Sequence, residues 1–302
     1  MNKHLITKLG ILTTTVLAIP ASSFAGTPAK EAKTIVEKTK ESCITGDLGV
    51  GIVSQYISRG SIFENQGAII QPYADLYFKL YAGDGFVNEV SLALGTWNSF
   101  HSRKTDTGLV GGSGTSSTRS WYEFDFTAGV AIKFAKNFTF TPSYYTFLSP
   151  NDGFATFQGL NVSLAYDDTD LLGKFALHPK VTVLFELENK NDGSDRDEGI
   201  YYEVAITPAL PAFGDLTVSF PIAAGFGSHE FYASDAGFGF VSGGVNLAYA
   251  LKFVPECYGA WTVSSSATYY YLGDKSLRDY NPGVRDADNS EVIFGGSIGL
   301  AF

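Results

Sequence analysis

From Asp47 to Phe302 the chain alternates apolar and polar residues with a period of two, and the alternation is not interrupted by any sustained helical pattern. In Val87–Ser99, Val90, Leu92 and Leu94 share one face, with Glu89, Ser91, Ala93 and Gly95 on the other. In Trp121–Lys133, Tyr122, Phe124, Phe126, Val130 and Ile132 face one way, and Glu123, Asp125, Thr127 and Gly129 the other. The final segment sets Val292, Phe294, Ile298 and Leu300 against Ile293, Gly295, Ser297 and Gly299. Such alternation specifies strands with two chemically different faces.

About twelve such segments follow one another, at 47–58, 69–82, 86–99, 120–133, 137–149, 156–166, 178–189, 200–208, 214–224, 238–253, 258–272 and 290–302. A soluble sandwich and a membrane barrel both alternate, but they differ in what the polar face holds. A sandwich turns its polar face to bulk water. A barrel encloses it and gives the apolar face to lipid. Charged residues are only 17% of this chain, aromatics reach 15%, and there are 33 glycines, which fits broad contact with a non-aqueous surrounding.

The links favour the barrel. Those at 59–68, 100–119, 150–155, 190–199, 225–237 and 273–289 are mostly long and polar. Those at 83–85, 134–136, 167–177, 209–213 and 254–257 are mostly short. Long extracellular loops with short periplasmic turns are the asymmetry of outer-membrane barrels. The expected fold is therefore all-β: a transmembrane up-and-down antiparallel barrel of about twelve strands in the outer membrane. The last strand, ending on Phe302, has the form of a signal for the barrel-assembly machinery, and pairing it with the first strand leaves no open edge in lipid.

Ahead of the barrel, residues 1–25 read as a signal peptide. Lys3 and Lys8 precede an apolar Leu9–Ile19 stretch, and Ser23-Phe24-Ala25 supplies small residues before a cut at Gly26. Residues 26–46 read as a short N-terminal periplasmic helical segment and 47–302 as the barrel. Cys43 and Cys257 both fall on the periplasmic side, where a disulfide between them is permitted; two free thiols are the alternative.

Charge on a lipid-facing position is costly, so charged residues in the strands are expected to point inward. That places Asp75, Glu89, Glu123, Asp125, Glu186, Glu188, Glu203, Asp215 and Glu291 in the lumen, with Lys79, Lys133 and Lys252 as basic counterparts toward the periplasm. An acidic outer mouth favours passage of cations. Equally, the same groups can bond to one another and close the interior, because twelve strands lie between a filled barrel and an open pore. The net charge of −10 gives no basic face for nucleic acid. The expected partners are outer-membrane lipid, lipopolysaccharide and small solutes.

No cofactor or metal site is expected, and no HExxH, CxxC, P-loop or nucleophile-elbow motif occurs. His101 with Ser99 or Ser102 is the one local grouping that suggests a lipid-modifying enzyme. His101 falls in the outer 100–119 link, and a surface-loop histidine among serines is more commonly plain loop composition. The reading is a non-enzymatic channel, with a closed-lumen receptor or adhesin as the alternative and an enzyme a distant third.

The run Ser54-Gln55-Tyr56-Ile57-Ser58-Arg59-Gly60, followed by Asn65-Gln66-Gly67 and Gln71-Pro72-Tyr73, resembles the opening of the TorF family of porin-like outer-membrane barrels. The resemblance covers roughly 47–100 and the terminal aromatic strand. It implies a porin-like role without naming a solute, and it maps Tyr56, Arg59 and Gly60 onto the family signature. Arg59 is expected at the outer rim.

Overall fold

The computed structural model describes residues 42–103, 120–151, 154–188, 197–232, 237–273 and 288–302. The signal peptide and most of the helical segment lie outside these residues. At the end of that segment, however, Ile44–Gly46 is already strand.

Among the described residues fifteen strands are formed: β1 (Ile44–Val53), β2 (Tyr56–Ser58), β3 (Ser61–Glu64), β4 (Ile69–Ala82), β5 (Val87–His101), β6 (Trp121–Phe134), β7 (Phe138–Leu148), β8 (Phe157–Tyr166), β9 (Lys180–Glu188), β10 (Ile200–Ile206), β11 (Leu216–Ser219), β12 (Ile222–Gly227), β13 (Phe238–Ala250), β14 (Ala260–Leu272) and β15 (Ser290–Ala301). β11 and β12 both pair with β13 and form one stave, interrupted at Phe220-Pro221, where proline has no N–H to give the ladder. Counted this way, the barrel is closed and has twelve antiparallel staves. Closure is by β1 on β15, with Leu48 opposite Leu300 and Val50 opposite Ile298. Gly46 and Phe302 exchange both backbone bonds at 2.9 Å.

The outer wall explains why the chain folds this way round. Leu48, Val50 and Ile52 on β1, Val204 on β10, Val263 on β14 and Phe294 on β15 are all exposed on outward positions. Water would penalise such a surface heavily, whereas hydrocarbon does not. At the short-link end Phe86, Phe134, Phe138 and Tyr166 form a continuous run of ring contacts, and at the other end Phe100 and Trp121 stack at 5.7 Å. These are the girdles of a barrel set at both interfaces.

Two links differ from expectation. The link after β8 carries a short helix, α1 (Thr169–Leu172), followed by a 3-10 turn at Gly173–Phe175. It is organised by Asp168, whose side chain accepts from the backbone N–H groups of Leu177 and His178 at 2.9–3.1 Å. Burial works against the ionised Asp168, but these N–H groups and His178 outweigh it and hold the carboxyl below its ordinary range. The second difference is larger. The strand expected to run to residue 58 ends at Val53, and the following hairpin turns into the barrel.

Cys43 and Cys257 are free and exposed, so the expected disulfide is not formed. They lie at the same end, but β15 stands between β1 and β14. Two inter-strand steps separate the two strands by about 10 Å, beyond the reach of a disulfide.

Candidate functional site: an inserted hairpin in an acidic and aromatic lumen

β2 and β3 form a two-stranded sheet of their own, not bonded to the barrel ladder. Every residue from Tyr56 to Glu64 is buried. The turn is Arg59-Gly60, with φ of 49° and 91°. Two successive positive φ values are the mark of a turn whose twist suits a tight hairpin. Gly60 also meets the far wall closely: a Cβ there would lie 2.8 Å from the Gly239 carbonyl oxygen. The hairpin therefore crosses the lumen and ends against β13.

The apolar faces of the hairpin supply Ile57, Ile62 and Phe63 to a cluster with Trp97, Tyr122, Tyr145, Phe147, Phe157, Tyr201, Phe231, Tyr232 and Phe240. The outer half of the lumen is thus packed like a protein core. Tyr56 donates to Glu123 Oε2 at 2.9 Å, Gln55 donates to Glu291 Oε2 at 2.9 Å, and Tyr232 donates to the Arg59 carbonyl at 2.9 Å. These bonds fix the neck of the hairpin to β15, the start of β2 to β6, and the tip to the segment after β12.

Arg59 is not at the rim, where the sequence suggests it, but inside. Its guanidinium donates to Tyr145 Oη, with Cζ 5.2 Å from the Tyr145 ring centre and 5.9 Å from that of Tyr201. Glu123, Asp125, Glu186 and Glu203 are all inward and no more than 5% exposed. Tyr201 donates to Glu203 Oε2 at 2.7 Å, and Gly199 N–H donates to Glu186 Oε2 at 2.8 Å. Asp125 shares a side-chain hydrogen bond with Glu123 and lies near Arg59, but no hydroxyl, amide or guanidinium donor reaches its oxygens among the described residues. Glu188 pairs through its backbone with Gln158.

The inner half is different. Asp75 is buried and inward, and its register partner on β1 is Asp47, which accepts from Tyr77 Oη at 3.1 Å. Glu89 and Lys133 are register partners with inward faces, and Lys79 lies opposite Ser91. The wall facing them is small: Gly49, Gly51, Ser264, Ser266, Gly295, Ser297 and Gly299 occupy inward positions. Tyr73 fills part of that space, its ring lying against Gly49.

Two residues depart from their expected places. Lys252 lies beyond the end of β13, with its side chain 74% exposed, and pairs with Asp215 just before β11. The pair joins two adjacent turns at the short-link end and does not line the lumen. Asp215 bonds to Lys252 and raises its pKa from the ordinary lysine value. Tyr122 also departs, because a bulge opposite Ser99/Phe100 turns Trp121 out and Tyr122 in.

That bulge builds a small polar cluster. Ser99 Oγ lies 2.9 Å from His101 Nε2, and His101 Nδ1 lies 3.9 Å from Glu64 Oε2. His101 stacks on Tyr122 at 4.4 Å and meets the Tyr56 ring edge-on. His101 ends a strand and is buried, contrary to the surface-loop reading. Sequence reasoning takes Tyr145 and Tyr201 as strand-flanking aromatics of an interfacial girdle and gives Asp47 no role, whereas both tyrosines are buried inside. Their inward position follows from strict alternation, which is the signal that could have found them.

No family model matches the chain, and no curated protein matches it. Among solved structures it is similar to the NanC porin (13% identity over 84% of this chain and 98% of that one, TM-score 0.43). It is also similar to outer-membrane phospholipase A from Escherichia coli (13%, 85% and 89%, 0.44) and to an outer-membrane channel from Pseudomonas putida F1 (10%, 90% and 100%, 0.47). Likeness at this level carries no argument about solute or chemistry. The closed ladder, the apolar exterior and the two girdles decide the location on physical grounds. The chain is an outer-membrane β-barrel.

Proposed function

We propose that this barrel is a porin-like channel for small solutes that prefers cations and rests in a closed state. The observation that carries the reading is the inward set of carboxylates, Glu123, Asp125, Glu186 and Glu203 in the outer half and Asp47 and Asp75 below them, above a wall of glycine and serine. Carboxylates grouped in a low-dielectric enclosure attract cations and repel anions. The likeness of residues 54–73 to TorF-family barrels agrees with this, since that run forms the hairpin controlling the lumen.

The hairpin makes the closed state dominant. Burial of Ile57, Ile62 and Phe63 favours insertion by roughly 5–9 kcal/mol in total, at about 1.5–3 kcal/mol for each such side chain. Its sheet is separate from the barrel ladder, so withdrawal breaks side-chain bonds such as Tyr56–Glu123 but none of the ladder's own hydrogen bonds. The same packing supports a second reading, a permanently closed barrel serving as a receptor or adhesin. An enzymatic reading is weaker, because Ser99 and His101 are sealed beneath Tyr56 and Tyr122, away from lipid.

Planar-bilayer recording of refolded protein under a KCl gradient tests the proposal. The expected result is infrequent openings whose reversal potential lies on the potassium side. Complete silence, in wild type and in a protein lacking residues 56–64, favours the closed barrel.

A further inference from the structure

The chamber around Arg59 has the form of a ligand site that is already filled. A planar guanidinium lies over two tyrosine rings, donates to a tyrosine hydroxyl, and shares the outer lumen with four buried carboxylates, of which Glu123 and Asp125 lie near its charge. Aromatic faces within about 6 Å attract such a cation, and desolvation strengthens the attraction. Three of the carboxylates are held by neutral donors: Glu123 by Tyr56, Glu186 by the Gly199 N–H and Glu203 by Tyr201. The fourth, Asp125, is 1% exposed and bonds side chain to side chain with its acidic neighbour Glu123, while no hydroxyl, amide or guanidinium donor reaches its oxygens among the described residues. A buried carboxylate without a donor is costly. Arg59 lies near Asp125 without donating to it, and Asp125 is left to its acidic neighbour Glu123.

The residue that fills the chamber is carried on a removable element. β2 and β3 pair only with each other, and a lone two-stranded hairpin is marginal without its surroundings. Arg59 and Gly60 form the turn of the hairpin, so the guanidinium that meets Tyr145 and Tyr201 is carried at its tip. A free solute bearing the same group can make the same contacts and can also approach Asp125.

We propose that the Tyr145–Tyr201–Asp125 chamber is a recognition site for small solutes carrying a guanidinium group, and that Arg59 is its built-in competitor. The proposal deepens the channel reading, since it names the solute class and makes solute binding and hairpin withdrawal a single exchange. Binding itself does not depend on conduction, so the two are tested apart.

Arg59→Ala protein in nanodiscs is titrated calorimetrically with methylguanidinium chloride, and with methylammonium chloride at equal ionic strength. The expected result is methylguanidinium binding at least tenfold tighter in the variant than in wild type, at least tenfold tighter than methylammonium, and lost in Arg59→Ala/Asp125→Asn. Equal binding of the two cations, or none, overturns the site. If Arg59→Ala does not fold, wild type decides. Methylguanidinium is then expected to raise hydrogen exchange of the Ile57–Phe63 amides about tenfold over methylammonium, and an unchanged rate overturns the proposal. Binding in a protein that is silent in bilayers removes the channel reading and leaves the site standing. Conductance without binding does the reverse.

Discussion

The hydroxyl of Tyr56 donates to Glu123 Oε2 at 2.9 Å inside the barrel, tying a hairpin that has no ladder bond to the wall to the strand that supplies two of the four outer carboxylates. A hydrogen bond to a charged group contributes about 1.5–3 kcal/mol. Tyr56→Phe removes it and leaves a buried carboxylate one donor short. The expected outcome is a rise of about ten- to a hundredfold in the open fraction in single-channel records. An unchanged open fraction means that this bond does not hold the gate.

Gly60 is required twice, by a φ of 91° and by its approach to Gly239. Gly60→Ala is expected to destabilise the inserted hairpin by on the order of 1–3 kcal/mol, seen as faster hydrogen exchange of residues 56–64. A Cβ at Gly243 would meet no heavy atom within 4 Å, so Gly243→Ala serves as the control with unchanged exchange.

Much of the barrel is legible in the sequence because alternation, link length and charge placement all report the same thing, which side of a strand meets lipid. That is why Asp75, Glu123, Asp125, Glu186 and Glu203 fall on the buried face of their strands. The hairpin is not legible. Tyr56-Ile57-Ser58 continues the alternation of β1 without a break, and nothing local distinguishes a strand that continues into an outer loop from one that folds back into the lumen. Arg59 is misplaced by the sequence for that reason. Tyr122 is misplaced because a bulge shifts the alternation by one residue, and Lys252 because β13 ends two residues before it.

Because Cys43 and Cys257 are free and exposed, both are expected to react with a maleimide without prior reduction. Intact-mass measurement of the refolded protein should show two additions. A single mass unchanged by reagent, and labelled only after reduction, means that the two are bonded.

Asp168 makes the link after β8 sensitive to acid. Its folded-state pKa is depressed by the Leu177 and His178 N–H groups, which outweigh the opposing effect of burial. The stabilisation is therefore complete above the unfolded value of about 3.9 and is lost as pH falls through the lower folded value. Protection of the Leu177 and His178 amides, corrected for intrinsic exchange, is expected to hold at neutral pH and to decline below about pH 4. In Asp168→Asn that protection is low at every pH.

The charges that set selectivity can be told apart by their surroundings. Lys252 is exposed and bonded to Asp215 between two turns, so Lys252→Gln is expected to leave the reversal potential unchanged. Glu123 and Asp125 are register neighbours of Ser99 and Trp97, inward and buried beside the hairpin. The two share a hydrogen bond and hence a proton, and the charge the pair carries acts in a low-dielectric enclosure, where screening by salt is weak. Glu123→Gln/Asp125→Asn is therefore expected to move the reversal potential toward zero, and the shift should persist when ionic strength is raised. A shift that disappears in high salt places the governing charges on the exposed rim instead, and then the buried carboxylates serve only to hold the hairpin.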